Sequence, residues 1–121
     1  MKKDNYIYIL HIRDSINKII EYTAGITFDK FERETIIQDA LIRKFEIIGE
    51  ASSKLSKDFI DKYDFVPWRK IIGMRNKLIH DYFGVEVKII WNTVIEDIPK
   101  FKNDIDKIIV DINPQIPLNY K

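Results

Sequence analysis

The sequence predicts an all-α protein, and three features of the chain lead to that fold class. Apolar residues recur at spacings of three and four along four long segments, which is the period of an amphipathic helix. No segment alternates between apolar and polar residues with the period of two that a half-buried strand requires. Only four Gly and four Pro occur among 121 residues, so few turns separate the segments. Four long helices with short connections predict an antiparallel four-helix bundle.

The first two helices are predicted on either side of Gly25. The first covers residues 4–24, and Gly25 then tolerates the positive φ that often follows a helix C-terminus. Thr27 or Asp29 is suited to cap the second helix, which is expected to end near Ser56. The second half of that helix is rich in Gly, Ala and Ser, so the spacing allows another backbone to approach closely there.

Two further helices follow a short helical turn and connector at residues 57–66. Pro67 fits the first position of the third helix, where its missing N–H costs nothing, and this helix is expected to stop near Gly84. The last helix carries its apolar stripe to Ile112 with Pro99 inside it. Because the stripe resumes in register, Pro99 is expected to kink this helix without ending it.

Length and composition limit the classes of protein to which the chain can belong. Residues 1–112 are expected to form a single domain, and residues 113–121, which contain two prolines and no period, an irregular tail. The absence of cysteine excludes disulfides, thiolate metal sites and a cysteine nucleophile, and suits a reducing cytosol. No signal peptide or membrane span is predicted, so a cytoplasmic location is expected. With a net charge of +1, nucleic-acid binding would depend on a local patch.

The strongest cluster of chemistry-bearing residues lies on the third helix. Arg75 and His80 are five residues apart, roughly 140° around a helix, and flank one edge, whereas Asn76 and His80 share a face. RNA cleavage without a metal needs a group that moves protons and a fixed cation for the charge of the transition state. His80 and Arg75 fit those two roles. One histidine cannot easily be acid and base at once, so two copies meeting across a dimer axis would be a natural solution.

The flanking charges of this helix favour phosphate as a ligand. Four cations, Arg69, Lys70, Arg75 and Lys77, stand against the single carboxylate of Asp81, which leaves the segment with a net charge of 4 − 1 = +3. Arg69 and Lys77 are therefore candidates for steering phosphate toward the motif. A charge cluster is more often only a solvated face, and the alternative of a purely structural role stays open.

Other polar residues give weaker signals. His11 has no second ligand at helical spacing, which favours a surface or core-edge role. Glu46 and Glu50 are four apart and could in principle hold a metal, but an ion pair of Glu50 with Lys54 or with a base of the third helix is preferred. The sequence therefore predicts neither a metal site nor a cofactor. The Arg-x4-His spacing alone is also a weak motif, because such a pair arises readily by chance.

Four sequence blocks make the motif more specific. They are EYTAGITFDKF (21–31), DALIRKFEIIGEAS (39–52), VPWRKIIGMRNKLIHDYFGV (66–85) and IIWNTVIEDIP (89–99). With these blocks in this order, the chain resembles the HepT-like branch of the HEPN superfamily along nearly its whole length. The resemblance implies an α-helical HEPN-type homodimer in which the Arg-x4-His pairs of two subunits surround a shared cleft that cleaves RNA.

The resemblance also assigns roles to residues and partners. Carried over by position, Arg75 and His80 would be catalytic and Asn76 a supporting polar residue of the active site. The family implies a toxin of a prokaryotic toxin–antitoxin pair. Its antitoxin would be a minimal nucleotidyltransferase of the MntA type, which adds AMP to the tyrosine of the motif, here Tyr82. No DNA or membrane partner is expected.

Two other functions remain open at this point. The first is a non-catalytic subunit that binds nucleotide or substrate for a companion nucleotidyltransferase, with Arg75 as a phosphate holder. The second is a purely structural dimerisation bundle. Toxicity on expression without a partner separates the enzyme from the binding subunit, because a passive subunit is harmless.

Overall fold

The computed structural model describes the backbone of residues 3–80 and 86–113 and the side chains of residues 5–78 and 86–113. The elements in chain order are α1 (Lys3–Thr23), α2 (Phe28–Arg33), α3 (Thr35–Ser53), α4 (Lys57–Lys62), α5 (Trp68–His80), α6 (Val87–Asn92), a π-helical turn (Thr93–Asp97) and α7 (Ile98–Ile112). These described residues contain no β-strand. The predicted all-α fold class is confirmed.

Helix α3 lies at the centre of the bundle, with α1 on one side and α5 on the other, while α7 packs against α1. The start of α1 lies beside the end of α3. Asn5 Nδ2 donates to Ser56 Oγ at 3.0 Å, and Asn5 Oδ1 accepts from the Ser56 N–H at 3.0 Å. Helices α1 and α3 therefore run antiparallel, and the buried Asn5 amide is satisfied by residues that follow α3.

The core consists mainly of isoleucine side chains that follow the predicted apolar stripes. The fully buried members are Ile9, Ile12, Ile16, Ile19, Phe31, Leu41, Leu78, Ile90, Ile105, Ile108 and Ile109. Burial of each such side chain contributes about 1.5–3 kcal/mol relative to exposure. Because Leu78 is buried, this side chain anchors α5 to the core.

The prediction of one continuous second helix is wrong, because Glu34 separates α2 from α3. Its φ of −106° and ψ of 84° are not helical. Gln38 Nε2 donates to the carbonyl oxygens of Phe31 at 2.9 Å and Glu32 at 3.0 Å. These bonds satisfy carbonyls that the break leaves without a helical partner. Apolar periodicity continues through the break, which is why the sequence pattern does not reveal it.

Where the sequence predicts a kink at Pro99, the last helix contains a π-helical turn. The π-helical turn Thr93–Asp97 lies immediately before α7, and Pro99 falls in the first turn of α7. A π turn places one extra residue in the helix, which accommodates the hydrogen bond that proline cannot donate. The helical path then continues to Ile112, as predicted.

The ends of the chain add two observations. Residues 114–121, most of the predicted tail, lie outside the described residues, so the domain boundary at residue 112 stays a prediction. Among the described helices, none is both long enough and apolar enough to cross a membrane.

Tyr63 ties the connector after α4 to the end of α7. Its hydroxyl donates to Asp111 Oδ2 at 2.6 Å, and Trp68 Nε1 donates to the Tyr63 carbonyl at 3.0 Å. The Tyr63 side chain is buried. Burial, and then the hydrogen bond to Asp111, raise the pKa of Tyr63 to about 12.

We predict that Tyr63→Phe lowers the free energy of unfolding by about 1 kcal/mol at pH 8, because it removes this hydrogen bond. The folded protein holds the Tyr63 proton more tightly than the unfolded chain, where tyrosine titrates near pH 10. The contribution is therefore complete below pH 10 and is lost as the pH rises to about 12. Urea unfolding of both proteins at pH 8 and at pH 11 measures it. If the difference in the free energy of unfolding between the two proteins were larger at pH 11 than at pH 8, the prediction would be contradicted.

Candidate functional site

Arg75 lies in the middle of α5 and reaches across to α3. Only 19% of its side chain is exposed, and its Nη1 donates to Glu50 Oε2 at 2.5 Å. Its Nε is buried and has no hydrogen-bond partner within the described part of the chain. The guanidinium is therefore held by one charge-assisted hydrogen bond to a carboxylate and by the packing around its largely buried side chain.

Gly49 makes this close approach of α5 to α3 possible. A methyl group added at Gly49 would overlap the Cβ and Cγ atoms of Arg75 and lie 3.3 Å from its Cα. The small residues at positions 49–53 therefore allow the close approach of another helix of the same chain, α5. Consequently this stretch gives no support to a contact between subunits.

Glu50 connects two cations. Besides Arg75, it faces Lys54 Nζ at 3.8 Å from Oε1, one helical turn further along α3. The preferred interpretation of Glu50 as an ion-pair partner is therefore confirmed. Because 51% of the Glu50 side chain is exposed, these pairs contribute more to orientation than to stability.

Arg75 also lines an open pocket between α1 and α3. The pocket has a volume of about 320 Å³, and its lining consists of Tyr8, His11, Arg43, Glu46, Ile47, Glu50, Ala51, Lys54 and Arg75. We call it the α1–α3 pocket. It gathers two rings from α1, a row of charged residues from α3 and the guanidinium of α5.

The sequence alone does not indicate that these residues line one pocket. His11 is exposed, in agreement with the expected surface position, yet it shares the pocket with Arg75. Arg43, Glu46 and Glu50 lie on one face of α3, at spacings of three and four, and Lys54, the residue that follows α3, continues this spacing. The sequence reveals this spacing, but it does not reveal that α1 packs antiparallel beside this face and so closes it into a pocket.

The remaining predicted site residues lie on or beyond α5. Arg69, Asn76 and Lys77 are exposed, and none of them lines the α1–α3 pocket. His80 is the last residue of α5, so its backbone lies five residues and roughly 7.5 Å along the helix axis from Arg75. The side chain of His80 and the whole of Tyr82 lie outside the described residues.

A second cavity differs from the first in its chemistry. It lies between α3, α5 and the region of the π-helical turn and α7, has a volume of about 280 Å³, and is lined mainly by apolar side chains such as Phe45, Ile71 and Met74. The ion pair of Lys70 with Asp97, at 3.4 Å, lies among its lining residues. Apolar walls offer little to a phosphate group, so the charged α1–α3 pocket is the better candidate for binding nucleic acid.

Comparison with known proteins places the chain in a family. The sequence profile described as "Ribonuclease HepT-like" matches residues 12–108. The "Probable ribonuclease HepT" of Thermococcus cleftensis is 44% identical over 108 residues, covering 89% of this chain and 98% of that protein. "Putative RNase MJ0127" of Methanocaldococcus jannaschii is 43% identical over 111 residues, a match that covers 92% of this chain and 92% of that protein.

One of the relatives is longer than this chain. "Gamma-glutamylcyclotransferase and putative RNase MJ0434" of Methanocaldococcus jannaschii is 45% identical over 113 residues. The match covers 93% of this chain but 51% of that relative, so the chain spans about half of its length. No solved structure gives a significant match.

Proposed function

The chain belongs to the HepT-like family of ribonucleases, and on that premise we propose that it is a metal-independent endoribonuclease in which Arg75 and His80 carry the chemistry. Family membership confirms two predictions, the resemblance to the HepT-like branch and an RNA-cleaving enzyme. The observation that carries the assignment to this site is the fixed guanidinium of Arg75, held by Glu50 at 2.5 Å beside a charged pocket.

Arg75 stabilises the charge that develops on the phosphate. Glu50 accepts a hydrogen bond from Nη1, and in this proposal the exposed part of the guanidinium, which does not include the buried Nε, donates to phosphate oxygens. A cation fixed before the reaction loses little entropy when the transition state forms, so its stabilisation is expressed in the rate. Asn76, next to Arg75 on the exposed side of α5, supports the site as a hydrogen-bonding group, and Arg69 and Lys77 steer phosphate toward it.

His80 moves the protons of the reaction. It takes the proton of the ribose 2′-hydroxyl, or gives one to the leaving 5′-oxygen, in the transesterification that splits the RNA chain. One imidazole cannot do both in a single step. We therefore propose a homodimer in which the partner's copy of the motif supplies the second histidine.

The same motif is the point of regulation in this proposal. The protein acts in the cytoplasm as the toxin of a toxin–antitoxin pair, and a minimal nucleotidyltransferase of the MntA type transfers AMP to Tyr82. Tyr82 is two residues beyond His80 in the sequence. An added phosphate would place negative charge and bulk beside the residues that must receive the phosphate of the substrate, which explains silencing in physical terms.

We predict that Tyr82→Phe keeps the toxicity of the protein and removes its response to the antitoxin. Cells that express the wild-type chain alone should stop growing, and co-expression of the nucleotidyltransferase should restore growth. The Tyr82→Phe protein, which lacks the acceptor hydroxyl, should remain toxic in both conditions. Growth curves together with mass spectrometry of the purified chain measure growth and AMP addition.

A matched control uses a tyrosine remote from the motif in sequence. Tyr22→Phe, near the end of α1, should be silenced by the nucleotidyltransferase as the wild type is. Silencing of Tyr82→Phe to the same extent would show that another group is modified. Harmless expression of the wild-type chain without any partner would instead favour the nucleotide-binding subunit.

A further inference from the structure

We propose that the α1–α3 pocket is the subsite that binds one nucleotide of the RNA strand next to the phosphate held by Arg75. In this arrangement His11 stacks on the base, and Lys54 holds the adjoining phosphate. The inference rests on the proposed function, because it identifies where the substrate of that reaction binds. The pocket and the catalytic motif share one residue, Arg75, so a ligand in the pocket is the immediate neighbour of the scissile phosphate.

The rings of α1 suit a nucleobase. Tyr8 and His11 lie three residues apart on one face of α1, with ring centroids 6.5 Å apart and an interplanar angle of 70°. Lys54 Nζ lies 5.9 Å from the centroid of the Tyr8 ring, which leaves the exposed ring of His11 as the open surface for stacking. Every base has a π-face, so such stacking binds single-stranded RNA with little preference for sequence.

The charges of α3 suit a single phosphate and its sugar. Arg43 is exposed at one end of the row, and Lys54, with 52% of its side chain exposed, stands at the other end, while Glu50 links Lys54 to Arg75. Glu46 contributes a carboxylate, which repels phosphate but accepts hydrogen bonds from sugar hydroxyls or base amino groups. A pocket lined by both positive and negative side chains favours a single nucleotide over several consecutive phosphates.

The volume of the pocket agrees with one nucleotide. About 320 Å³ lies near the lower end of the range of roughly 300–1,000 Å³ found for sites that bind small molecules. The open mouth suits a strand that continues in both directions. The volume and the open mouth together favour a subsite for one nucleotide of an RNA strand over a closed site for a metabolite.

The test measures RNA binding and cleavage separately in the full chain. Fluorescence anisotropy of a labelled single-stranded RNA is recorded in the background of His80→Ala, and cleavage is measured with His80 present. His11→Ala and Lys54→Ala should each weaken RNA binding by about 10-fold and raise KM similarly, with kcat within about twofold. Lys18→Ala is the matched control, since Lys18 is an exposed cation of α1 that does not line the pocket.

Each outcome decides the proposal. RNA binding by His11→Ala equal to that of Lys18→Ala would overturn it. A fall in kcat without a change in KM would also overturn it, because His11 would then act in the chemistry. Tighter binding of free AMP than of RNA would overturn the assignment to a strand. Failure of the wild type to cleave RNA would count against the proposed function, whereas the anisotropy comparison would still decide whether the subsite exists.

Discussion

Replacing Arg75 with alanine is expected to lower the rate of RNA cleavage by about 10²- to 10³-fold, because the fixed cation of the transition state is lost. The same change should lower the free energy of unfolding by only about 1 kcal/mol. Glu50, the partner left behind, has 51% of its side chain exposed and keeps Lys54 within reach, so no buried charge is stranded. The effect on the rate therefore exceeds the effect on stability.

The measurement combines kcat/KM on single-stranded RNA with urea unfolding of the same preparations. Arg75→Lys is the informative second variant, because it keeps the charge and loses the planar fork. We expect it to recover part of the lost rate. If Arg75→Ala instead unfolded the protein and Arg75→Lys restored full activity, the residue would be a structural cation and its assignment as catalytic would be wrong.

The second large effect is expected at Gly49. In a helix, Gly→Ala ordinarily stabilises by about 1 kcal/mol. At Gly49 the new methyl group would overlap the Cβ and Cγ of Arg75, so α3 and α5 must separate, at an overpacking cost of about 1–3 kcal/mol. We expect a net loss of stability. Because Arg75 must shift by roughly 1 Å, cleavage should also fall by about 10²-fold.

Gly73 provides the matched control for Gly49. It lies on α5, and a methyl group added there meets nothing within 4 Å. Gly73→Ala should therefore stabilise the protein by about 1 kcal/mol and leave cleavage unchanged. Thermal unfolding and RNA cleavage of the two variants measure the contrast. If both variants changed the unfolding temperature in the same direction, the contact of Gly49 with Arg75 would not determine the position of α5.

The sequence is most informative where apolar periodicity controls the structure. The buried isoleucines of α1 and α7 and the buried Leu78 of α5 lie where the spacing places them. The sequence does not predict the break at Glu34, because the break is accompanied by hydrogen bonds from one side chain, Gln38, which a period of 3.6 does not encode. The sequence predicts a kink at Pro99 but not the π-helical turn before it, since proline indicates that a hydrogen bond is lost but not how the helix adapts.

The candidate site is likewise only partly predictable from the sequence. Arg75 and His80 are found from the motif and its surrounding blocks, and the pairing of Glu50 follows from charge and helical spacing. Tyr8, His11 and Lys54 come together with Arg75 only because α1 runs antiparallel to α3 and α5 packs on the other side of Gly49. These are contacts between residues distant in sequence, and no local pattern contains them.

The central claim is that Arg75 and His80 cleave RNA without a metal ion, and one measurement tests it most directly. It is the rate of cleavage of single-stranded RNA in excess EDTA by the wild-type chain and by His80→Ala, each with its helical circular-dichroism spectrum as a check on folding. We predict that the wild type cleaves at the same rate with and without EDTA and that His80→Ala cleaves at least about 10²-fold more slowly. Equal cleavage by a folded His80→Ala protein, or loss of wild-type activity in EDTA, would contradict the claim.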